Sequence, residues 1–368
     1  MDERIRKLWL EAESQPEFHV SGDAEGVFRK PRVYEDVPSF MEVPVARGPD
    51  DLQGADVVFV GFPWEMGQQL DSTTFAETGP RPPDPDAVIA RSGAYLAPGY
   101  IRKYSAHYAM AISGGYFPEE GENFQLADYL KIMDYGDVEV KLWDVEESTR
   151  RAVERVSHIV KAGAIPLVFG GDHSTPYPIV KGISDNSEGK IGVINFDGHY
   201  DIGLSGTLNA GNAFGKIMEN CKAEPENLVI IGIKGGAYNT PLMHKVAKEI
   251  GASVFTLMDI ERMGMEAVVE RAIEIASRGT DKVYVSLDTD SLDPVNFPAQ
   301  KYPDPYGITF WEIRTALRML SRRANLCGFD LVCMGPTYDH KGVGALTACR
   351  FYIELLKGLA LRKAKITG

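Results

Sequence analysis

The sequence contains few cysteines, and none lies in a recognisable ligand or disulfide pattern. Four occur in 368 residues, and no two of them form a CxxC pair. This spacing argues against a cysteine-based metal site and against a disulfide-rich secreted scaffold. We therefore interpret the four as reduced thiols and expect a cytoplasmic protein. They are Cys221, Cys327, Cys333 and Cys349.

Long apolar runs and an excess of positive charge are also absent. No uninterrupted apolar run approaches the length of a membrane span, and the first residues, MDERIRKLWLEAESQ, lack the apolar core of a signal peptide. The formal net charge is −13. Nucleic acids and anionic membranes both require a basic protein face, so we expect neither as a partner. A small cationic substrate is compatible with this charge.

The composition is that of a globular protein, with 44% hydrophobic and 25% charged residues. A short helix is predicted at Glu3–Glu13, and a stretch rich in glycine, proline and charge follows it. This stretch has no periodicity, so residues 1–50 are interpreted as an N-terminal extension that wraps over the domain or over a neighbouring subunit. Residues 51–368 are predicted to form one domain.

Short apolar runs alternate with helical stretches along that domain. Alternation of this kind predicts an α/β fold with a doubly wound, mostly parallel sheet and helices on both faces, which gives three α/β/α layers. The predicted strands lie in ADVVFVGFP, AIPLVFGGDHS, IGVINFDGHYD, NLVIIGIKGG, ASVFTLMDIE, KVYVSLDTDSLDP and LCGFDLVCMGP.

Ionisable residues follow three of these predicted strands, in GGDHS, FDGHYD and SLDTDSLDP. The carboxyl ends of strands in open α/β sheets are where ligands bind. Four carboxylates in one crevice would repel each other unless positive charge lay among them, and two divalent ions would supply it. Alternate residues of an extended segment share a face, so Asp197, His199 and Asp201 can point into one site. The six candidate metal ligands are His173, Asp197, His199, Asp201, Asp288 and Asp290.

Each motif is weak evidence when it is taken alone. GGDHS is often only a strand-to-helix turn with a capping Asp172 or Ser174, a DxD pair is common in acidic loops, and a lone His173 is more often a core residue. All three motifs at strand ends of one α/β chain favour the metal interpretation.

The ordered set of motifs resembles the signature of the ureohydrolases, which include arginases, agmatinases and guanidine hydrolases. GFPWEMG at residues 61–67 and RSGAYLAPGYIRKYS at residues 91–105 are similar to further motifs of that family. The resemblance runs from about Ala55 to the C-terminus and is nearest to agmatinases and guanidine hydrolases. It implies an arginase-like fold, assembled as trimers or hexamers.

The resemblance also implies roles for the six residues. One ion would be held by His173, Asp197, Asp201 and Asp288, and the other by Asp197, His199, Asp288 and Asp290. Family members use Mn²⁺, and guanidine and biguanide hydrolases are similar with Ni²⁺. The ions would provide a hydroxide that attacks the guanidinium carbon, and Asp201 would carry its proton to the departing amine.

Two positions depart from the family pattern. Ala210 stands where the family has a histidine, with Asn209 and Asn212 as possible hydrogen-bonding substitutes or simple turn residues. Cys333 stands where the family has the glutamate that grips the guanidinium, and a thiol cannot form a bidentate ion pair. We therefore expect a substituted guanidine or a biguanide such as metformin, rather than arginine, as the substrate.

The substrate contacts and the activity leave alternatives open. Tyr200 and Trp64 are further candidate substrate contacts, together with Tyr302, although aromatic residues in such places often only pack. The departures at Ala210 and Cys333 also fit a weakly active or inactive metal-binding subunit that partners an active paralogue in a mixed hexamer. A histone-deacetylase-like amidohydrolase is a weaker interpretation, because the D-x-H-x-D set argues against it.

Overall fold

The computed structural model describes residues 2–13, 39–65, 93–121, 124–141, 144–236 and 239–365. The strands are β1 Val57–Gly61, β2 Ile132–Asp137, β3 Ile165–Phe169, β4 Ile191–Phe196, β5 Leu228–Ile233, β6 Ser253–Thr256, β7 Lys282–Asp288 and β8 Leu326–Val332. The helices are α1 Glu3–Glu13, α2 Ala97–Ser105, α3 Leu126–Tyr129, α4 Val145–Lys161, α5 Pro176–Asp185, α6 Ala213–Asn220, α7 Pro241–Glu249, α8 Leu257–Met263, α9 Met265–Ala276, α10 Phe310–Arg323 and α11 Val343–Lys363.

The strands form one sheet in the order β2-β1-β3-β8-β7-β4-β5-β6. Every pair of neighbouring strands is parallel. Within the described ranges the sheet is thus fully parallel, where the sequence predicted a mostly parallel one. All eight strands end at the same edge, so the residues that follow β3, β4 and β7 come together there.

Two apolar layers cover the two faces of the sheet. Alternate strand residues face opposite sides, so Val57 and Phe59 belong to one layer and Val58 and Val60 to the other. Helices α9, α10 and α11 close the first layer, and α4, α5 and α6 close the second. Burial on both faces explains why the strands are continuous apolar runs, and the predicted three-layer architecture is confirmed.

The structure corrects the strand prediction at two places. β2 was not predicted as a strand, because its sequence IMDYGD ends in polar residues and lies at the edge of the sheet. The run ASVFTLMDIE supplies only the short strand β6, after which Thr256 caps α8 by accepting a hydrogen bond from the Asp259 amide. Helix α1 has the predicted bounds.

The segment before β1 contributes to the first apolar layer. Phe40 is fully buried, with ring centroids 4.3 Å from Phe59 and 5.6 Å from Tyr352. Such aromatic contacts anchor this segment against the sheet. The boundary at residue 50 stays a prediction, as does the role of residues 14–38, which lie outside the described ranges. Among the described helices, none has the length and apolar character to cross a bilayer.

Gly171, in the turn after β3, shows why the paired glycines of GGDHS are needed. A Cβ atom on this residue would lie 1.7 Å from the carbonyl oxygen of Trp64. The chain that leaves β1 therefore passes directly against the turn, and only glycine permits this approach. This packing fixes the start of the segment that carries His173.

A buried ion pair links the chain after β1 to the loop before α10. The Lys301 ammonium contacts the Glu65 carboxylate, and their side chains are 1% and 4% exposed. Glu65 Oε2 also accepts a hydrogen bond from the Gly93 amide at 2.7 Å, and the Lys301 amide donates to the Cys333 carbonyl at 3.0 Å. The pair therefore ties together three segments beneath the carboxyl edge of the sheet.

We expect Lys301→Met to lower the free energy of unfolding by about 3–5 kcal/mol, because it leaves the Glu65 carboxylate buried without its cation. Urea denaturation followed by circular dichroism measures this loss.

The matched control is the double variant Lys301→Met/Glu65→Gln. It removes both charges and keeps an oxygen for the Gly93 amide, so most of the lost stability should return. A double variant as unstable as the single one would contradict this account of the pair.

Candidate metal centre and adjoining cavity

All six candidate ligands lie at the carboxyl edge of the sheet. Asp197 directly follows β4, and His199 and Asp201 come next at alternate positions. Asp288 is the last residue of β7, and Asp290 lies in the single turn after it. His173 lies in the turn between β3 and α5. β3, β8, β7 and β4 are consecutive in the sheet, so these turns converge at its centre.

The first group of candidate ligands surrounds His173 Nδ1. Asp201 Oδ2 lies 2.9 Å away, Asp288 Oδ2 lies 3.0 Å away and Asp197 Oδ2 lies 3.1 Å away. This nitrogen is buried and has no hydrogen-bond partner. Two ligands about 2.1 Å from one ion at a right angle lie about 3.0 Å apart, so these spacings suit a shared divalent cation.

The second group surrounds His199. Its Nδ1 lies 3.2 Å from Asp290 Oδ2 and 3.5 Å from Asp197 Oδ1. Asp197 therefore presents one oxygen to each group. Asp288 faces the first group through Oδ2, and its Oδ1 accepts a hydrogen bond from the Asp290 amide at 2.9 Å. The two groups share a wall of carboxylates, as a pair of neighbouring cation sites requires.

The pKa values show how strongly this cluster attracts positive charge. Burial alone would lower the pKa of His173, but Asp197 and Asp288 raise it well above its ordinary value. Burial would also lower the pKa of His199, but Asp290 and Asp197 raise it to about 12. Burial and the charge of Asp197 raise the pKa of Asp201 to about 7. Two bound cations would take the place of the protons that these groups hold.

A chain of hydrogen bonds behind His173 sets the orientation of its ring. Ser286 Oγ donates to Asp330 Oδ1 at 2.6 Å, and the Tyr284 hydroxyl donates to Asp330 Oδ2. The Ser286 proton is thus committed, so Ser286 Oγ accepts from His173 Nε2, which lies 3.1 Å away. With one proton held on Nε2, Nδ1 is the nitrogen that faces the carboxylates, and it can serve as a metal ligand once a cation displaces its proton.

Two residues at the site hold a backbone conformation that is unusual for a residue with a side chain. The φ angle is +48° at Asp201 and +62° at Cys333. Left-handed φ values at residues other than glycine cost free energy and gather at functional sites. At Asp201 this conformation accompanies the placement of its carboxylate beside His173 Nδ1.

A cavity of about 390 Å³ opens over the cluster. Five of the six candidate ligands reach its wall, and the buried Asp197 forms the floor beneath them. The other lining residues are Tyr200, Asn209, Ala210, Gly211, Asn239, Met243, Tyr302 and Cys333. Apart from the cluster, the described lining carries no charged side chain, so the wall around it is neutral.

Five residues besides Tyr302 are predicted substrate contacts, and three of the five line this cavity, namely Tyr200, Asn209 and Cys333. Asn212 does not line it, because its side chain is occupied by the turn: it donates to the Ser205 carbonyl at 3.0 Å and to the Thr207 carbonyl at 2.9 Å. This is the turn-shaping alternative that the sequence left open.

Trp64, the fifth predicted contact, is 1% exposed and packs in the second apolar layer, away from the cavity lining. The ring of Tyr302 lies beside His199, with centroids 6.0 Å apart. Of these two aromatic residues, Tyr302 is the one on the wall.

Cys333 meets the cluster as a neutral thiol. Burial and the nearby Asp288 carboxylate raise the pKa of Cys333 well above its ordinary value. The thiol therefore stays protonated and can donate to the Asp288 carboxylate. The wall at this position offers no negative charge to a guanidinium.

Sequence reasoning missed several residues of the site. Asn239 and Met243 line the cavity, and His244 Nδ1 lies 2.7 Å from the Tyr200 hydroxyl. The sequence feature that could have predicted them is the strand β5, which they follow and which lies next to β4 in the sheet. The residues that follow such a strand belong to the same edge, even when none of them is a carboxylate or a metal-ligating histidine.

Comparison with known proteins agrees with this arrangement. The sequence pattern of the arginase family matches residues 55–357. A formimidoylglutamase of Halalkalibacterium halodurans is 30% identical over 306 residues, which cover 82% of this chain and 91% of the relative. A mitochondrial agmatinase of Gallus gallus is 29% identical, with 92% of this chain and 89% of the relative covered.

A solved structure shows the same likeness. The proclavaminate amidino hydrolase of Streptomyces clavuligerus superposes with a TM-score of 0.72 at 26% identity and covers 90% of this chain and 99% of that one. The family pattern spans most of the chain, and the formimidoylglutamase matches it at the stated identity and coverage. The resemblance seen in the sequence is thereby confirmed, and the chain belongs to the arginase family of hydrolases, the ureohydrolases.

Proposed function

We propose that the chain hydrolyses a C–N bond of a guanidine-type compound and releases urea, or a urea derivative, together with an amine or ammonia. The observation that carries the proposal is the placement of His173 Nδ1, which is buried without a hydrogen-bond partner among the oxygens of Asp197, Asp201 and Asp288. Donor atoms grouped in this way can bind a divalent cation. A metal centre of this kind in an arginase-family chain supports a hydrolytic reaction.

The donor set is compatible with two divalent ions. His173, Asp197, Asp201 and Asp288 would hold one, and Asp197, His199, Asp288 and Asp290 would hold the other. Carboxylate oxygen is a donor that Mn²⁺ favours and imidazole one that Ni²⁺ favours, so we propose Mn²⁺ or Ni²⁺. A bound pair of this kind lowers the pKa of water enough to supply hydroxide near neutral pH.

We propose that Asp201 moves a proton. Its side chain is 15% exposed and lines the cavity, and its Oδ2 lies 2.9 Å from His173 Nδ1. A carboxylate between the cluster and the cavity can take a proton and release it to a neighbouring nitrogen. The amine must leave in its protonated form, so we assign this transfer to Asp201 as the catalytic residue.

The neutral wall supports a substituted guanidine or a biguanide such as metformin as the substrate. Cys333 offers a thiol where a carboxylate would pair with an unsubstituted guanidinium. Tyr200, Met243 and Tyr302 add aromatic and thioether surface to the same cavity. Such a surface suits N-alkyl groups and a flat, delocalised cation. The agmatinase relative supports a guanidine compound in general.

Ala210 favours a second candidate function. It lines the cavity with a methyl group, so it can neither orient a substrate nor transfer a proton there. A chain that binds metal but turns over little could act as the partner of an active paralogue in a mixed hexamer. The assembly state, whether homotrimer, homohexamer or mixed hexamer, and the cytoplasmic location stay predictions.

We expect the purified chain to bind about two manganese or nickel ions, and Asp197→Asn to lose both, because Asp197 faces both groups of donors. Metal analysis after gel filtration measures this. The exposed Glu261→Gln on α8 is the control and should keep both ions. An Asp197→Asn variant with full metal content would contradict the assignment.

Asp330→Asn should weaken metal binding by about 10–100-fold, because an amide has one acceptor oxygen for two hydroxyl donors and so disturbs the Ser286 hydroxyl that orients the His173 ring. Tyr284→Phe leaves the hydrogen bond between Ser286 and Asp330 in place and should have a smaller effect. Competition with a coloured chelator gives the affinities, and unfolding curves show whether the variants remain folded. Unchanged affinity in a folded Asp330→Asn variant would refute the orienting role.

Release of urea or of a urea derivative, together with the amine or ammonia, tests the proposed reaction on guanidine, N,N-dimethylguanidine, metformin, agmatine and arginine, with manganese or with nickel. We expect turnover of the substituted guanidines or the biguanide in preference to arginine. Bound metal without turnover of the whole panel would favour the second candidate function. Turnover of agmatine or arginine alone would refute the interpretation of Cys333.

Cys333→Glu should raise kcat/KM for agmatine relative to N,N-dimethylguanidine by about tenfold or more, because it restores a carboxylate partner for the unsubstituted guanidinium end. Cys333→Ser keeps a small neutral donor and serves as the control. Equal ratios for the two variants would show that the charge at position 333 does not set specificity.

A further inference from the structure

Two of the described residues that line the cavity carry buried side-chain atoms without a hydrogen-bond partner. One atom is His173 Nδ1, which faces the carboxylates of the metal centre. The other is Asn239 Oδ1. A buried acceptor left unpaired is unfavourable, and such atoms are rare in native proteins. Asn239 is not among the candidate ligands, so the metal centre does not account for it.

The orientation of the Asn239 amide is fixed by its other end. Nδ2 donates to the carbonyl oxygens of Gly198 and Lys234, each at 2.7 Å. The reversed amide would place Oδ1 against both carbonyl oxygens and lose both bonds. The oxygen is therefore the free end, and it is held in place.

The position of Asn239 relates this acceptor to the substrate. The carbonyl oxygen of Gly198 accepts a hydrogen bond from Asn239 Nδ2, and Gly198 lies between the candidate ligands Asp197 and His199. The acceptor is thus anchored directly to the backbone of the centre. A guanidine-type compound in its protonated form has only N–H donors, so an unpaired acceptor on a residue that lines the cavity suits it.

We propose that Asn239 Oδ1 accepts a hydrogen bond from a substrate N–H and so determines specificity, favouring guanidines that keep an N–H on this side over fully alkylated ones. The inference rests on the proposed function and specifies the substrate class further. Cys333 presents a small side chain without a carboxylate on its part of the wall and so tolerates alkylation there, whereas Asn239 requires a remaining N–H. The site therefore selects partly alkylated guanidines.

Binding to the metal-loaded full chain tests this without depending on turnover. Calorimetry with N,N-dimethylguanidine and hexamethylguanidinium compares a ligand that keeps two unsubstituted nitrogens with one that has no N–H. We expect the wild type to prefer the first by about tenfold, since an acceptor that loses its donor is left unpaired. In Asn239→Ala the preference should fall to about twofold or less.

Two further variants separate recognition from structure. Met243→Leu changes the same wall without touching a hydrogen bond and should keep the preference. Asn239→Asp keeps an oxygen acceptor but loses the bonds to Gly198 and Lys234, and it should also keep the preference even if its stability falls. A purely structural role would instead weaken both ligands equally in Asn239→Ala and leave their ratio unchanged.

The outcomes distinguish this inference from the proposed function. A preference that persists in Asn239→Ala, or a wild type that binds neither ligand, overturns the role of Asn239. Suppose that no compound of the panel is hydrolysed while the ligand preference remains and depends on Asn239. This result overturns the proposed reaction and leaves the binding role of Asn239 standing.

Discussion

Repulsion between buried carboxylates is the constraint on which the centre of this protein depends. Asp197, Asp288 and Asp290 are each 0–2% exposed, and Asp201 lies beside them. Charges this close and this far from water are stable together only with positive charge among them. The neighbouring carboxylates raise the pKa values of His173 and His199, so the protonated imidazoles supply positive charge. Divalent cations reduce the repulsion between the carboxylates further, because each cation can contact several of these oxygens at once.

The parallel sheet is what makes such a concentration of charge possible. The buried strands β4, β7 and β8 pair in parallel, and all three end at the same edge. Their apolar side chains stabilise the framework, so the turns beyond them can carry residues that would be unfavourable elsewhere. The strained φ angles of Asp201 and Cys333 lie in the turns after β4 and β8, where the surrounding structure determines the backbone. Stability and chemistry are therefore separated along each strand.

The wall of the cavity differs from the centre in its electrostatics. The centre is strongly acidic, whereas the described wall is neutral, with a thiol at Cys333 and a methyl group at Ala210. Lys301 is buried near Cys333, and its charge is matched by Glu65. Recognition on this wall thus depends on shape, aromatic surface and single hydrogen bonds. This division explains why the reaction type is easier to infer than the substrate.

The sequence alone determined the fold class and the six residues that converge. Apolar runs that alternate with helices specify a parallel sheet, and ionisable residues after β3, β4 and β7 must then share an edge. The assignment needed no knowledge of side-chain contacts, because it follows from strand direction alone. Strand β2 escaped prediction, since an edge strand with polar residues lacks the apolar run that reveals a central one.

Only the tertiary structure decided which neutral residues complete the site. Asn239 and Met243 carry no sequence signature, and Trp64 and Asn212 turned out to serve packing and a turn. The support of His173 by Asp330 depends on the register between β7 and β8, where Ser286 lies opposite Asp330. Local sequence sets strand, helix and charge, but a contact between residues distant in the chain depends on packing and register that no single segment encodes.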